Sequence, residues 1–410
     1  MNRRESVVIV GGGIWGLSTA YHLARAGWTD VQVLERNDAL FDETTSQAAG
    51  LVGQIRAAPL MRRAIRYAID LFLDFESQTG HDPGFRQVGS LLLALTPERM
   101  ASFEEHVEHA NGSGVEARFV DGAEMSTLAS HLDISRVEGG YFVPEDGYLD
   151  PRRCARAFCG AAEDLGVRIR TGTAATDLSI TDGRVMGVET DGGFVEAEHV
   201  VVTAGPWTGT IAEMAGHRTP MVPIRHQRVT TAPISGIQDH HPVVRVTDAS
   251  CYLRPEEGGY LYGFFEPDPT SYDLELPAGF HTADIEEPIE VMEEARERLA
   301  PVFPVLRNLE IAGYKRGLTT FAPDGAYLVG PIPGVKGLFA ATGCAALGIA
   351  GSAAVGSWLA NWIARDDPGE DLFSVGLERF GEKASDRDWV RRECEAFYGG
   401  YYGIPAMSVT

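Results

Sequence analysis

VVIVGGGIWGLSTAYHLARAGWTDVQVLE, residues 7–35, decides the fold. Val7 to Val10 form an unbroken apolar run, which reads as a strand covered on both faces. Three glycines follow. Ile14 to Ala26 then repeats apolar residues at helical spacing and is closed by Gly27. Residues 31–35 return to a strand, so the segment is a βαβ start to a mostly parallel sheet. Gly11-x-Gly13-x-x-Gly16 has the dinucleotide spacing. Gly11 allows the tight turn, Gly13 lets backbone approach a pyrophosphate, and Gly16 lets helix and sheet pack closely. The helix N-terminus at Ile14 faces the phosphates. Glu35, 22 residues after Gly13, ends the second strand and can accept from ribose hydroxyls, with Arg36 beside it. A bare GxGxxG is a weak signal; strand, glycines, helix, strand and acid in register are a strong one.

Working outward, residues 59–79 and 97–112 read as helices and 88–95 as a strand. Asp150-Pro151 starts an amphipathic helix over 151–165. VRIR, ATDLSI, RVMGVET and FVEAEHVVVTAG then read as a small antiparallel insert followed by a buried parallel strand ending at Gly205. Strands recur over 220–265, a helix near 286–299 is stopped by Pro301, and sheet elements return near 326–341. Residues 337–364 carry no charge, but Gly343, Gly348, Gly351 and Gly356 interrupt them. They read as a short strand, GLFAATG, and then a buried helix over 347–364, not as a membrane span. Residues 366–410 read as a polar, partly helical tail.

The 410 residues suffice for two domains built from non-contiguous pieces. A formal net charge of −23 argues against nucleic acid as a partner and suits a cationic small substrate. Five scattered cysteines with no CxxC point to a reducing compartment and no metal site. The polar start lacks a signal-peptide core, and a cytoplasmic location is expected. Three glycine-rich contacts, at 11–16, at Thr203-Ala204-Gly205-Pro206-Trp207 and at 343–351, suit the long FAD molecule better than NAD.

VVTAGPWTG (201–209) and APDGAYLVGP with GLFAATG (322–343), together with the opening stretch, resemble the FAD-dependent glycine, sarcosine and D-amino acid oxidase superfamily along essentially the whole chain. TTSQAAGLVGQIR, VPIRHQRVTT, VVRVTDASCYLRPEEGGYLYGFFEP, GCAALGIAGSAAVG and DLFSVGLERF…YYGIP are similar to the flavin module of dimethylglycine and sarcosine dehydrogenases. The resemblance implies an α/β fold of the glutathione reductase type 2, D-amino acid oxidase-like kind. A Rossmann-like FAD-binding domain (1–85, 145–215 and 320–370) would join a substrate domain on a largely antiparallel sheet (86–144 and 216–319). A tail, 371–410, would pack on the core.

That family's tail precedes a folate-binding domain; the sequence ends at Thr410, so the one-carbon unit is expected to leave as formaldehyde. Family members attach FAD to a His, matched here by Gln47, or to a Cys in a segment matched by Lys315-Arg316-Gly317, so non-covalent FAD is implied. Two lysines of the oxidases are matched by Asp273 and Ala350, which weakens a simple sarcosine oxidase reading.

For catalysis the candidates are Tyr262, His226, Arg254, Arg56 and Tyr252. A core aromatic, an interdomain histidine and structural ion pairs are the bland alternatives. Gly50 and Leu51, Ala175, Ala204, Gly205 and Trp207 are expected against FAD, with Ser46 helping backbone meet the pyrophosphate. Gly343, Gly348 and Ile349 are expected at the flavin, the last two opening the long helix. The expected reaction is hydride transfer from the C–N carbon of a small N-methylated amine, with oxygen or an electron-transfer protein as acceptor. Alternatives are a D-amino acid or proline-like substrate, or a β-type flavin subunit of a multisubunit oxidase. A homo-oligomer is compatible with either.

Overall fold

The computed structural model describes residues 5–277 and 279–403. Ile404 and Pro405 of the YYGIP motif and the first four residues lie outside them. Val7–Val10 sits inside a six-stranded sheet, parallel to Val31–Leu34 on one side and His199–Val202 on the other. Arg168–Arg170 and Leu338–Thr342 extend it in parallel, and Leu328–Pro331 closes one edge antiparallel. Helices Ile14–Arg25, Pro59–Thr79, Pro151–Asp164 and Ser352–Arg365 pack together on one face. Gly356 permits the closest approach: a Cβ there would stand 2.8 Å from the Ser18 carbonyl oxygen. The other face is covered by a three-stranded antiparallel sheet of Ala175–Thr181, Arg184–Thr190 and Gly193–Glu196, whose Leu178, Val185 and Val188 meet Val8 and Val200.

The second sheet has eight strands in the order Ile311–Phe321, Val222–Thr231, Gly259–Phe264, Cys251–Glu256, Val243–Val246, Ser90–Ala94, Gly139–Val143, Arg118–Val120. All pairs are antiparallel except Val243–Val246 with Ser90–Ala94. Helix Ile289–Leu299 lays Met292, Ala295 and Leu299 on one face of it. Helix Arg387–Gly399 packs against Val222–Thr231 with Val390, Cys394 and Tyr398 buried.

Three readings are corrected. VRIR does not belong to the antiparallel insert. It follows helix Pro151–Asp164 and lies parallel to Val31–Leu34 at the edge of the six-stranded sheet. The eleven-residue strand Ile311–Phe321 was not anticipated, because Gly313, Lys315, Arg316 and Gly317 break its apolar alternation. The last long helix begins at Ser352, so Gly348 and Ile349 precede it instead of opening it. The preceding segment is held by the second sheet: Ala345 N–H donates to the Thr320 carbonyl (2.7 Å) and Ala346 N–H to Thr319 Oγ1 (2.9 Å). That anchoring fixes Gly343, Ala345 and Ala346 at φ of 68°, 46° and 57°, outside helical space.

All five cysteines are free thiols. Among the described residues no helix is long and apolar enough to cross a membrane, and no cluster of His, Cys, Asp and Glu is arranged for a metal.

Candidate active site

A cavity of about 660 Å³ is lined by both main sheets. From the first and its connections come Gly11, Gly13, Ile14, Glu35, Arg36, Ala204, Gly205 and Trp207, and from the three-stranded sheet Ala175. The glycines are needed. A Cβ on Gly11, whose φ is 113°, would stand 2.6 Å from the Thr203 carbonyl oxygen, and one on Gly16 would run into the Gly11 carbonyl. Glu35 is buried at the strand end. Its Oε2 accepts from Gly12 N–H and its Oε1 from Asn37 N–H, each at 2.9 Å. Burial raises its pKa against these hydrogen bonds.

The loop after this strand is clasped to the segment around residue 280. Arg36 lies over the Trp207 ring (3.8 Å), pairs with Glu43 (2.8 Å) and donates to the Phe280 carbonyl (2.7 Å). Glu43 also accepts from Asn37 Nδ2 (3.0 Å) and Thr282 N–H (2.8 Å) and meets His281 Nδ1 (2.8 Å). Burial opposes its ionisation, but these donors outweigh it and hold the carboxyl at about 2.

Other parts of the wall come from 44–56, the second sheet, the 343–351 loop and the C-terminal segment: Gly50, Leu51, Arg56, His226, Arg245, Tyr252, Phe265, Cys344, Gly348, Ile349, Tyr401 and Tyr402. His226 is fixed between two phenols, with Nε2 2.9 Å from Tyr252 Oη and Nδ1 2.9 Å from Tyr398 Oη. Burial, then the nearby Arg228 charge, lowers it to about 3, so it is neutral. A neutral imidazole has one N–H donor and one acceptor nitrogen, so one tyrosine accepts from the ring and the other donates to it.

Arg56 makes no ion pair among the described residues. It donates to the Ile55 carbonyl at 2.7 Å, and its buried Nε meets no acceptor. Arg245 donates to Ser90 Oγ (2.7 Å) and stands 3.9 Å from Asp146. Burial raises the Asp146 carboxyl despite Arg245. Among the described residues the two guanidiniums thus have one carboxylate within ion-pair distance, Asp146 beside Arg245.

Five candidates are not brought into the wall, one of them Gly16, which packs behind it against the Gly11 carbonyl. Tyr262 lies opposite Leu253 and Val229 and faces the layer under helix Ile289–Leu299, whereas Tyr252 lies opposite Gly263. Strand alternation therefore sends the two tyrosines to opposite faces. Gly263 leaves room for the Tyr252 ring, whose Cε1 would be 2.8 Å from a Cβ there. Arg254 is fully buried as a tie between segments: it donates to the Ala49 carbonyl (2.8 Å), the Pro255 carbonyl (2.7 Å) and Glu256 (2.5 Å), over the Tyr148 ring. Ser46 turns its hydroxyl back to the Asp42 and Glu43 carbonyls, and its neighbour Thr45 accepts from Ile14 N–H instead (3.2 Å). Gly343 supplies the turn between Thr342 and Cys344, which do line the wall.

Arg245, Phe265, Tyr401 and Tyr402 were missed. Arg245 had a signal, a single charge inside the apolar strand VVRV. The tail tyrosines had none, since nothing local says where they dock. Asp273 is ion-paired to Arg391 at the surface and Ala350 is core, so neither restores a lysine's function.

The model of the family described as DAO, FAD dependent oxidoreductase, matches residues 6–362. Mitochondrial dimethylglycine dehydrogenase of Rattus norvegicus is 32% identical over 92% of this chain and 45% of its own length. The formaldehyde-forming 4-methylaminobutanoate oxidase of Paenarthrobacter nicotinovorans is 32% identical over 97% of this chain and 48% of its own. The chain thus spans about half the length of these curated relatives. The structure of L-proline dehydrogenase from P. horikoshii superposes with a TM-score of 0.82, 25% identity, and coverage of 93% of this chain and 99% of that one. The chain belongs to the FAD-dependent oxidoreductases of the D-amino acid oxidase type, related to the flavin module of dimethylglycine and sarcosine dehydrogenases.

The cytoplasmic assignment is corrected by the same comparison. The dimethylglycine and sarcosine dehydrogenase relatives are named as mitochondrial enzymes, and a polar first stretch does not outweigh that.

The residues fit FAD. Gly11 and Gly16 form a cradle that a Cβ would fill, and a buried carboxylate, Glu35, stands at the strand end. The cofactor is held without a covalent bond: the two attachment positions of the family are Gln47 and Gly317, which face each other, a Cβ on Gly317 coming 2.9 Å from that of Gln47.

Proposed function

We propose that this flavoprotein oxidises a small N-methylated amino acid. The carrying observation is the pair Arg56 and Arg245, two guanidiniums in the wall with one carboxylate 3.9 Å from Arg245 and no ion pair on Arg56. Bound FAD would supply the acceptor for the hydride of the C–H bond next to nitrogen, and water would cleave the resulting imine to amine and aldehyde. Gly11, Gly13, Ile14 and Thr45 would hold the pyrophosphate; Glu35 and Arg36 would hold the adenosine ribose. Gly348 and Ile349 would approach the flavin ring.

Arg56 binds the substrate carboxylate, where a planar fork gives paired, charge-assisted hydrogen bonds. The reacting nitrogen must carry a lone pair. The two positive guanidiniums lower the pKa of a nearby ammonium and favour its neutral form. His226, neutral and locked by Tyr398, holds the Tyr252 hydroxyl at the cavity, so the pair orients substrate without adding charge. The relatives named for N-methyl amines support this reading. The likeness to a proline dehydrogenase structure favours a second, a cyclic imino acid whose nitrogen is also secondary.

Anaerobic mixing of the yellow protein with sarcosine, dimethylglycine, 4-methylaminobutanoate, L-proline and D-alanine tests it. Bleaching of the visible flavin band by an N-methyl amino acid is expected. Bleaching by L-proline alone would select the second reading, and a silent flavin with all five would overturn both.

A further inference from the structure

The C-terminal segment contributes more to the cavity than a cap. Tyr401 lies flat on Phe265, centroids 3.9 Å apart and planes 4° from parallel. Tyr402 stands perpendicular to both, at 5.4 Å from Phe265 and 5.3 Å from Tyr401. All three rings line the cavity, as do His226 and Tyr252, the former 4.6 Å from Phe265. The segment is anchored on both sides of this corner: Tyr398 Oη meets His226, and the Gly403 carbonyl accepts from Arg99 Nη1 at 3.4 Å. The two tyrosines therefore have a fixed place in the wall, in the same cavity as Arg56 and Arg245.

Perpendicular aromatic rings beside a cationic clamp have a specific chemistry. Ring faces carry negative potential and attract an alkylated ammonium, whose methyl groups spread the charge and leave it weakly hydrated. The clamp takes an anion. A zwitterion with a carboxylate at one end and an N-methylated ammonium at the other meets both demands.

We propose that Phe265, Tyr401 and Tyr402 form an aromatic corner that recognises the methylated ammonium group of the incoming substrate, making Tyr401 and Tyr402 specificity-determining residues. The proposal rests on the carboxylate clamp described above and deepens it. Substrate enters as the cation, is gathered by the rings, and reacts only after giving up its proton to solvent.

The test uses two compounds that cannot react. Glycine betaine carries a permanent trimethylammonium group. 3,3-Dimethylbutanoate has the same shape and the same carboxylate but a neutral tert-butyl group. Each is titrated into the FAD-loaded protein, and perturbation of the visible flavin spectrum gives its Kd. Betaine should bind about tenfold more tightly than its neutral isostere, a cation–π difference of ordinary size. In Tyr401→Leu and Tyr402→Leu the preference should fall to about threefold or less, with the Kd of the neutral isostere nearly unchanged. Tyr402→Phe, which keeps the ring, should retain the preference.

Equal binding of the two compounds to the unmodified protein overturns the proposal, as does an undiminished preference in both leucine variants. Failure of betaine to bind also overturns it, whereas betaine binding with no measurable binding of the isostere is the preference in its strongest form. The functional reading fails separately. A betaine preference without bleaching by any N-methyl amino acid would leave the corner standing and remove that activity. Bleaching without the preference would do the reverse.

Discussion

Replacing Arg56 by Gln separates recognition from folding. The guanidinium has no ion-pair partner among the described residues and donates only to the carbonyl of its own neighbour, Ile55. Removing it strands no buried carboxylate, so the large penalty of a broken buried pair does not arise. A loss of about 0.5 kcal/mol or less in stability is expected, as for substitutions away from packed or paired features. The substrate loses more. A hydrogen bond to a charged group contributes about 1.5–3 kcal/mol, which corresponds to about a 10- to 150-fold fall in kcat/KM. Arg245 remains in the wall, so the lower part of that range applies. The assay compares sarcosine with N-methylethylamine, which lacks the carboxylate. R56Q should lower kcat/KM for sarcosine by at least about tenfold and leave the value for the amine within about threefold. Equal losses on both compounds, with FAD content and thermal midpoint intact, would refute the assignment of Arg56 to the carboxylate.

Two further outcomes follow from the charged groups. His226 is held at about 3 in the fold against an ordinary value of 6.5, so the unfolded chain binds the extra proton across that interval. Its contribution is present above pH 6.5 and lost as pH falls towards 3. H226Q should therefore flatten acid unfolding followed by near-ultraviolet circular dichroism, though His22, held at about 4, retains part of the slope. An acid profile parallel to that of the unmodified protein would contradict a neutral buried His226. Glu43 has the same sense over a lower interval: held at about 2, it stabilises above its ordinary 4.5, and that stabilisation is lost as pH falls through 2. E43Q should release FAD about fivefold faster at neutral pH, by loosening the clasp of Arg36, His281 and Thr282. Release is read as the rise of free-flavin fluorescence after dilution, and an unchanged rate would detach the clasp from cofactor retention.

The residues readable in advance are those whose constraint is local. Gly11, Gly13, Gly16 and Glu35 are dictated by one turn and two strands, all inside 29 residues of contiguous sequence. The helices over 59–79 and 97–112 were legible for the same reason, a sustained period with Pro at the first position of each. Tyr252 and Tyr262 could not be separated, because their facing depends on which register the hairpin adopts, and a shift of one residue would put both on the same face. Arg254 was misread because its partner, the Ala49 carbonyl, is 205 positions away. The start of the last helix was missed because Thr319 and Thr320, on an unrecognised strand, bind the amides of Ala345 and Ala346 and hold the segment before it at positive φ, a long-range tie with no local signal.

The cavity wall draws on Val10 at one extreme and Tyr402 at the other. During synthesis, then, no emerging portion of the chain holds a complete flavin pocket. The βαβ start can form its glycine turn early, but its neighbour on the far side, His199–Val202, is made much later, and Leu338–Thr342 later still. Cofactor loading is consequently a late event. It can report that the chain has been made and assembled as far as Tyr402, and a chain cut short before Tyr401 would lack part of the corner even if both sheets had formed.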